Sequence, residues 1–152
     1  MKLGDFFPKN LQKSRFNDKI EIGSVIKYFV KDTNPPKYKR MVIIGNSHDT
    51  ITIATVYLNS ELNLNVFRNK RMKDLQISLE KEGREYLEHD SYVDCSSLHI
   101  KQINKLKEEF DNSRLESLGK ISSDDLDLIK GTLISAGTIS LKHKKEYGLI
   151  KV

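Results

Sequence analysis

Two apolar runs separated by a polar turn constrain this chain more than any other feature. Met41-Val42-Ile43-Ile44-Gly45 reads as a buried strand, and Thr50 to Leu58 as a second one. Between them, Asn46-Ser47-His48-Asp49 and the preceding glycine tolerate left-handed backbone or bond their own main chain, so the segment predicts a β-hairpin. Alternation assigns Ile51, Ile53 and one of Thr55 and Val56 to a core face, with Thr50 and Thr52 pointing outward. Both open ends of the hairpin lie at one rim of a sheet. Lys37, Lys39 and Arg40 enter the first strand there, and the uncharged pair Asn59-Ser60 ends the second. Fixed cations beside hydroxyl and amide groups form an arrangement suited to a phosphate.

The flanking segments extend the sheet. Ile20 to Val30 is rich in β-branched and aromatic residues and predicts a first strand, with Gly23 at its entry or at a bulge. The paired prolines of DTNPPKYK make the next segment a loop that delivers Lys37, Lys39 and Arg40 to the hairpin, a natural place for substrate contact. After Ser60, a polar stretch carries Arg68, Lys70, Arg71 and Lys73, a second candidate contact for a phosphate chain. Leu75–Leu79 and Ser91–Cys95 predict two further strands, with EKEGREYLEHD between them as a turn or one short helix anchored by Tyr86 and Leu87. About five strands in all are enough to curl into a small barrel.

The last third changes period. Ile100, Ile103, Leu106 and Phe110 predict a helix from His99 to Asn112, and Ser122 with Asp125 predicts the capped start of a second, whose stripe is Leu126, Ile129 and Leu133. Met1 to Lys19 is expected either as a short helix around Leu11 that lies over the barrel or as a loose arm, and Leu141 to Val152 as a solvated basic tail. With 152 residues the chain fits one domain with terminal extensions, and its net charge of +5 favours polyanions. One cysteine, Cys95, leaves no intramolecular disulfide framework and reads as a buried small hydrophobe. His48, His89, His99 and His143 lack metal-ligand spacing, and there is no glycine-rich phosphate loop. No apolar run approaches the roughly 20 residues of a membrane helix, and the start lacks a signal-peptide segment, so a cytoplasmic protein is expected.

In this order, the pieces resemble the MazF/PemK family of bacterial toxin endoribonucleases, which act in type II toxin–antitoxin pairs. The likeness is carried by GSVI, KYKRMVIIG, ATVYLNS, HDSYVDC and LGKISSDDLDLI, and runs from Gly23 to about Leu133. It implies a mainly β, α+β fold, an SH3-like small antiparallel β-barrel with C-terminal helices, spanning 20–137 between an arm at 1–19 and a tail at 138–152. It also implies a homodimer that cleaves single-stranded RNA, such as mRNA, by attack of the 2′-hydroxyl, with no metal or other cofactor, until an antitoxin fills the groove. By position, Arg40 falls on the catalytic arginine, and Ser60 with Asn59 on a threonine/serine position; Asp94 and His89 are candidates for proton transfer. Met41 stands where proline is usual, and Asp94 and Ser96 where some relatives carry an arginine and an aspartate. A different reading keeps the same groove in a non-catalytic SH3-like module that holds nucleic acid or a peptide. A third makes the chain a regulatory partner that docks through its terminal arms.

Overall fold

The computed structural model describes residues 16–17, 20–31, 33–62 and 69–151. The expected helix around Leu11, and Arg68 of the basic cluster, lie outside these residues. The elements run β1 (Ser24–Val30), β2 (Lys37–Asn46), β3 (Thr52–Asn59), α1 (Lys70–Lys73), β4 (Gln76–Leu79), β5 (Ser91–Asp94), β6 (His99–Gln102), α2 (Ile103–Asp111), β7 (Leu115–Lys120), α3 (Ser123–Ser135) and α4 (Leu141–Glu146).

Strand β2 explains the layering. Its run Met41 to Ile44 has no polar side chain to offer water, and all four residues are buried. The pleat then divides them: Met41 and Ile43 pack in one cluster, Val42 and Ile44 in the other. A strand of this kind needs cover on both sides. Leu106 of α2 supplies it on the Met41 face, together with Ile26, Ile53 and Phe16. On the Val42 face, Ile129 and Leu133 of α3 pack with Val56, Leu58 and Val93, joined by Leu149 beyond α4. Each such side chain contributes about 1.5–3 kcal/mol when fully buried. Cys95 lies in the second cluster, and burial pushes its thiol up to about 12, so it behaves as one more apolar group.

Every strand pairing is antiparallel, in the order β4-β5-β3-β2-β1-β7. Strand β3 is shared: Thr52 to Thr55 pair with β6, while Leu58 and Asn59 pair with β5. The mainly β fold with C-terminal helices is as expected, but the path from β4 to β7 does not close, so the sheet is open where a barrel was anticipated.

The hairpin forms with a local correction. Ser47 and Thr52 close it through Ser47 N to Thr52 O at 2.9 Å, and Asp49 Oδ1 accepts from Ser47 Oγ and from Ile51 N. Ile51 therefore belongs to the turn and is 57% exposed, whereas Ile53, Ala54, Thr55 and Val56 are all buried because β3, like β2, is covered on both faces. A second correction concerns His99 to Gln102, expected as helix and found as strand β6. Pairing with β3 overrides the helical spacing, and α2 begins only at Ile103, with no side-chain cap at Gln102. Leu115–Lys120 adds a strand that the sequence did not single out.

Helix α3 starts as expected, with Asp125 N donating to Ser122 Oγ. The Asp125 carboxylate then turns to Arg84, which donates from Nε at 2.9 Å and Nη2 at 3.1 Å and so ties the loop after β4 to the helix. The basic end of the chain is built into the fold: α4 is followed by buried Tyr147 and Leu149. Tyr147 passes so close to the bulge at Gly45 that a Cβ there would lie inside its carbonyl group. Among the described residues no helix is long and apolar enough to cross a membrane.

Two glycines separate packing from propensity. Gly45→Ala is expected to destabilise by about 1–3 kcal/mol, because main-chain atoms must shift. Gly131→Ala, in the middle of α3 with open space around the added methyl, is expected to stabilise by roughly 0.5–1 kcal/mol. Paired thermal melts check both signs. Arg84 holds the Asp125 carboxyl below the usual carboxylate range, so its contribution is present above the ordinary carboxylate pKa and is lost as pH falls through the depressed value. Asp125→Asn is therefore expected to lower stability at neutral pH by about 1.5–3 kcal/mol and to flatten the acid limb of a pH–stability curve.

Candidate functional site

The hairpin's open end forms one wall of a cleft of about 540 Å³. Of the residues singled out from sequence, Lys37, Lys39, Arg40, Asn59, Ser60 and His89 all line it. The antiparallel register causes this convergence. Arg40 pairs with Leu58 across the β2–β3 ladder, so the start of one strand lies beside the end of the other. The loop before β5 contributes His89 and, unforeseen from sequence, Glu88.

Arg40 and Lys39 reach the cleft from opposite faces of the sheet. Arg40 follows the Leu58 face, and its Nη2 lies 2.9 Å from Glu88 Oε1. The guanidinium holds the Glu88 carboxyl below the usual range. Its Nε, by contrast, is buried with no hydrogen-bond partner among the described residues. Lys39 takes the other face, and its Nζ donates to Asn59 Oδ1 at 2.7 Å and lies 5.4 Å from the Tyr57 ring centroid. Burial lowers its pKa, neighbouring Lys37 adds to the shift, and the Asp94 charge opposes it. The sequence placed Arg40 beside Asn59; in the fold it is Lys39 that bonds the amide.

Asp94 does not line the cleft. Its Oδ1 accepts from Gln76 Nε2 at 2.7 Å, from Ser96 N at 3.0 Å and from Ser96 Oγ at 2.5 Å, which fastens β4 to β5. Lys70 and Arg71 lie on the short helix α1, capped by Asn69, and are also away from the cleft lining. Among the described residues, no group of three or more His, Cys, Asp or Glu side chains is arranged to hold a metal ion.

A second feature escaped the sequence reading. Tyr57 of β3 and His99 of β6 stack with ring centroids 3.7 Å apart and planes 2° from parallel. Lys101 Nζ bonds the Tyr57 hydroxyl at 3.2 Å and lies 5.5 Å from the centroids of both Tyr57 and Tyr28. Taken as a helix, His99 to Gln102 gave no reason to set His99 and Lys101 side by side on one sheet face. Once the segment pairs with β3, the two-residue period does so.

An open antiparallel sheet with C-terminal helices and a basic cleft at its rim is the class of molecule these features define. The fold is similar to that of a chain in the crystal structure of MazE-MazF (Form-III) from Deinococcus radiodurans, with a TM-score of 0.50 and 13% identity, over 76% of this chain and 92% of that one. The fold is thus MazF-like. No family model matches the sequence, and no curated protein matches it either.

Burial and the nearby Lys101 ammonium, in that order, lower the His99 pKa, which leaves a neutral ring in the stack at pH 7. An NMR titration is expected to place its midpoint below the ordinary histidine value. Lys101→Gln is expected to move that midpoint up only part of the way, since the burial remains.

Proposed function

We propose that the chain is a toxin-like endoribonuclease that cleaves single-stranded RNA by metal-independent attack of a ribose 2′-hydroxyl on the adjacent phosphate. The observation that carries this reading is Arg40: a guanidinium in a cleft wall, already engaged with an anionic oxygen of Glu88, with a buried Nε that has no partner among the described residues. In the reaction the 2′-hydroxyl passes its proton to His89 as its oxygen bonds to phosphorus, charge builds on the non-bridging oxygens, and the bond from phosphorus to the 5′-oxygen breaks as His89 returns the proton to that leaving oxygen. Arg40 meets the charge build-up with a planar fork that stays protonated at any working pH. Lys37 and Lys39 hold flanking phosphate oxygens, Asn59 and Ser60 fix the ribose and phosphate by neutral hydrogen bonds, and His89 is positioned in the cleft for proton transfer. Asp94, with one oxygen accepting three bonds, serves as a fastener of β4 to β5 in this scheme. Lys70 and Arg71, outside the cleft lining, are assigned to further phosphate contacts, and Arg68 is assigned to the same role by its place in the sequence.

The MazF-like fold, similar to a chain of a MazE-MazF complex, and the basic cleft support an antitoxin partner that places acidic side chains on Arg40 in place of Glu88; a homodimeric assembly and a cytoplasmic site of action belong to the same proposal. One observation favours the second reading, a non-catalytic module that binds nucleic acid or a peptide: Asp94, a candidate base, is committed to Gln76 and Ser96.

Incubation with a mixed RNA pool in the presence of a chelator distinguishes them. The wild type is expected to cleave, and Arg40→Ala to lose about 10²–10³-fold in rate, the scale of one charge-stabilising group. Equal survival of the RNA with both proteins overturns the enzymatic reading, and salt-dependent binding without cleavage establishes the module.

A further inference from the structure

The Tyr57–His99 stack sits at a seam in the sheet. Strand β3 pairs with β6 through Thr55 and with β5 from Leu58, and Tyr57 falls between the two ladders. His99 is the first residue of β6, so the two rings meet where neither ladder continues. Each side of this seam leads to a cleft. Lys39, 5.4 Å from the Tyr57 centroid, lines the rim cleft. Lys101, bonded to the Tyr57 hydroxyl, lines a second cleft of about 470 Å³ between β1, β6 and α2, with Tyr28, Lys31 and Lys105. That cleft also contains Glu108 and Glu109, and Glu109 lies 3.9 Å from Arg114.

We propose that the Tyr57–His99 stack is a nucleobase-stacking bridge which, with Lys39 and Lys101, carries one strand of RNA from the rim cleft into the second cleft. The proposal rests on the reading of the rim cleft as an RNA site and extends it to residues with no part in the chemistry. A base presents the same kind of flat π-face as the two rings and lengthens their stack by one member, without regard to its identity. The lysines on either side supply cations for the phosphates before and after that base. A neutral His99 suits this role, because a charged imidazolium in the same place would repel both ammonium groups. The seam accounts for the position of the pair as packing, but it does not require two lysines to converge on the same tyrosine ring.

The probe is a fluorescein-labelled oligouridylate decamer with 2′-O-methyl riboses, which lacks the attacking hydroxyl and stays intact; a trimer of the same chemistry is the control. Anisotropy titrations at several salt concentrations compare the wild type with Lys101→Glu, His99→Ala and the milder Tyr57→Phe, each checked by thermal melting. His99→Ala is expected to weaken decamer binding about tenfold, the scale of one base–aromatic stack. Lys101→Glu is expected to weaken it too and to lower the log–log salt slope by about one. Trimer binding, confined to the rim cleft, is expected to be unchanged in both. If folded Lys101→Glu and His99→Ala proteins bind the decamer as the wild type does, or the wild type does not bind it, the bridge is overturned, whatever Arg40 does to unmodified RNA. If the variants lose affinity as expected while unmodified RNA is never cut, the bridge stands and the cleavage reading falls.

Discussion

Strand β2 has no face to give to water, and the layout of the molecule follows from that. Four successive buried apolar residues commit the sheet to cover on both sides, by α2 on one and by α3 with the segment after α4 on the other. Once both faces are covered, a charged residue on the same strand can reach solvent only near the strand's ends. Lys37, Lys39 and Arg40 occupy that beginning, and the antiparallel return of β3 puts Asn59 and Ser60 beside them. The cleft is therefore a consequence of the core: the hydrophobic run that fixes the sheet also fixes where its cations gather.

The same double cover separates what the sequence made legible from what it did not. Elements that carry their own local signal were readable: the hairpin turn, the capped start of α3, and the strands whose β-branched content matched their burial. Ile51 was misplaced because alternation assumes a single buried face, whereas Ile53 to Val56 are buried continuously. His99 to Gln102 was misread because Ile100, Ile103 and Leu106 share a helical period across what is in fact a strand-to-helix boundary, and no capping side chain marks it. At the site, the gathering of Lys37, Lys39, Arg40, Asn59 and Ser60 followed from hairpin geometry alone. Glu88 on Arg40 and His99 on Tyr57 depend on long-range pairing, which leaves no trace in local spacing.

Two of the cations that line the cleft, Arg40 and Lys39, respond differently to their surroundings. Arg40 acts on its partner, and holds the Glu88 carboxyl below the usual range. Lys39 is sensitive to its surroundings: burial and Lys37 push its pKa down while Asp94 pushes back. Asp94 thus acts at a distance on a cleft that it does not line, and its three accepted bonds keep its charge at a fixed place. This gives the carboxylate a part at the rim as well as in the β4–β5 attachment, because loosening it would alter the electrostatic balance at Lys39.

Glu88 is the residue that bears most directly on whether the cleft accepts an anion. Its carboxylate already sits on Arg40, which at first sight closes the site. The two partners are not equally placed, however: the Arg40 side chain is 22% exposed and Glu88 65%. Water screens and competes for a carboxylate at that exposure, so Glu88 is rehydrated at little cost when it turns away. Arg40 cannot turn away as readily, since its side chain is largely enclosed and its Nε, without a partner among the described residues, is buried. A phosphate that engages both Nη2 and Nε would satisfy a donor that Glu88 leaves unmet and would do so in the bidentate geometry a guanidinium favours. In the proposed reading the ion pair holds the guanidinium at the cleft wall, and it is the bond that an RNA phosphate would exchange.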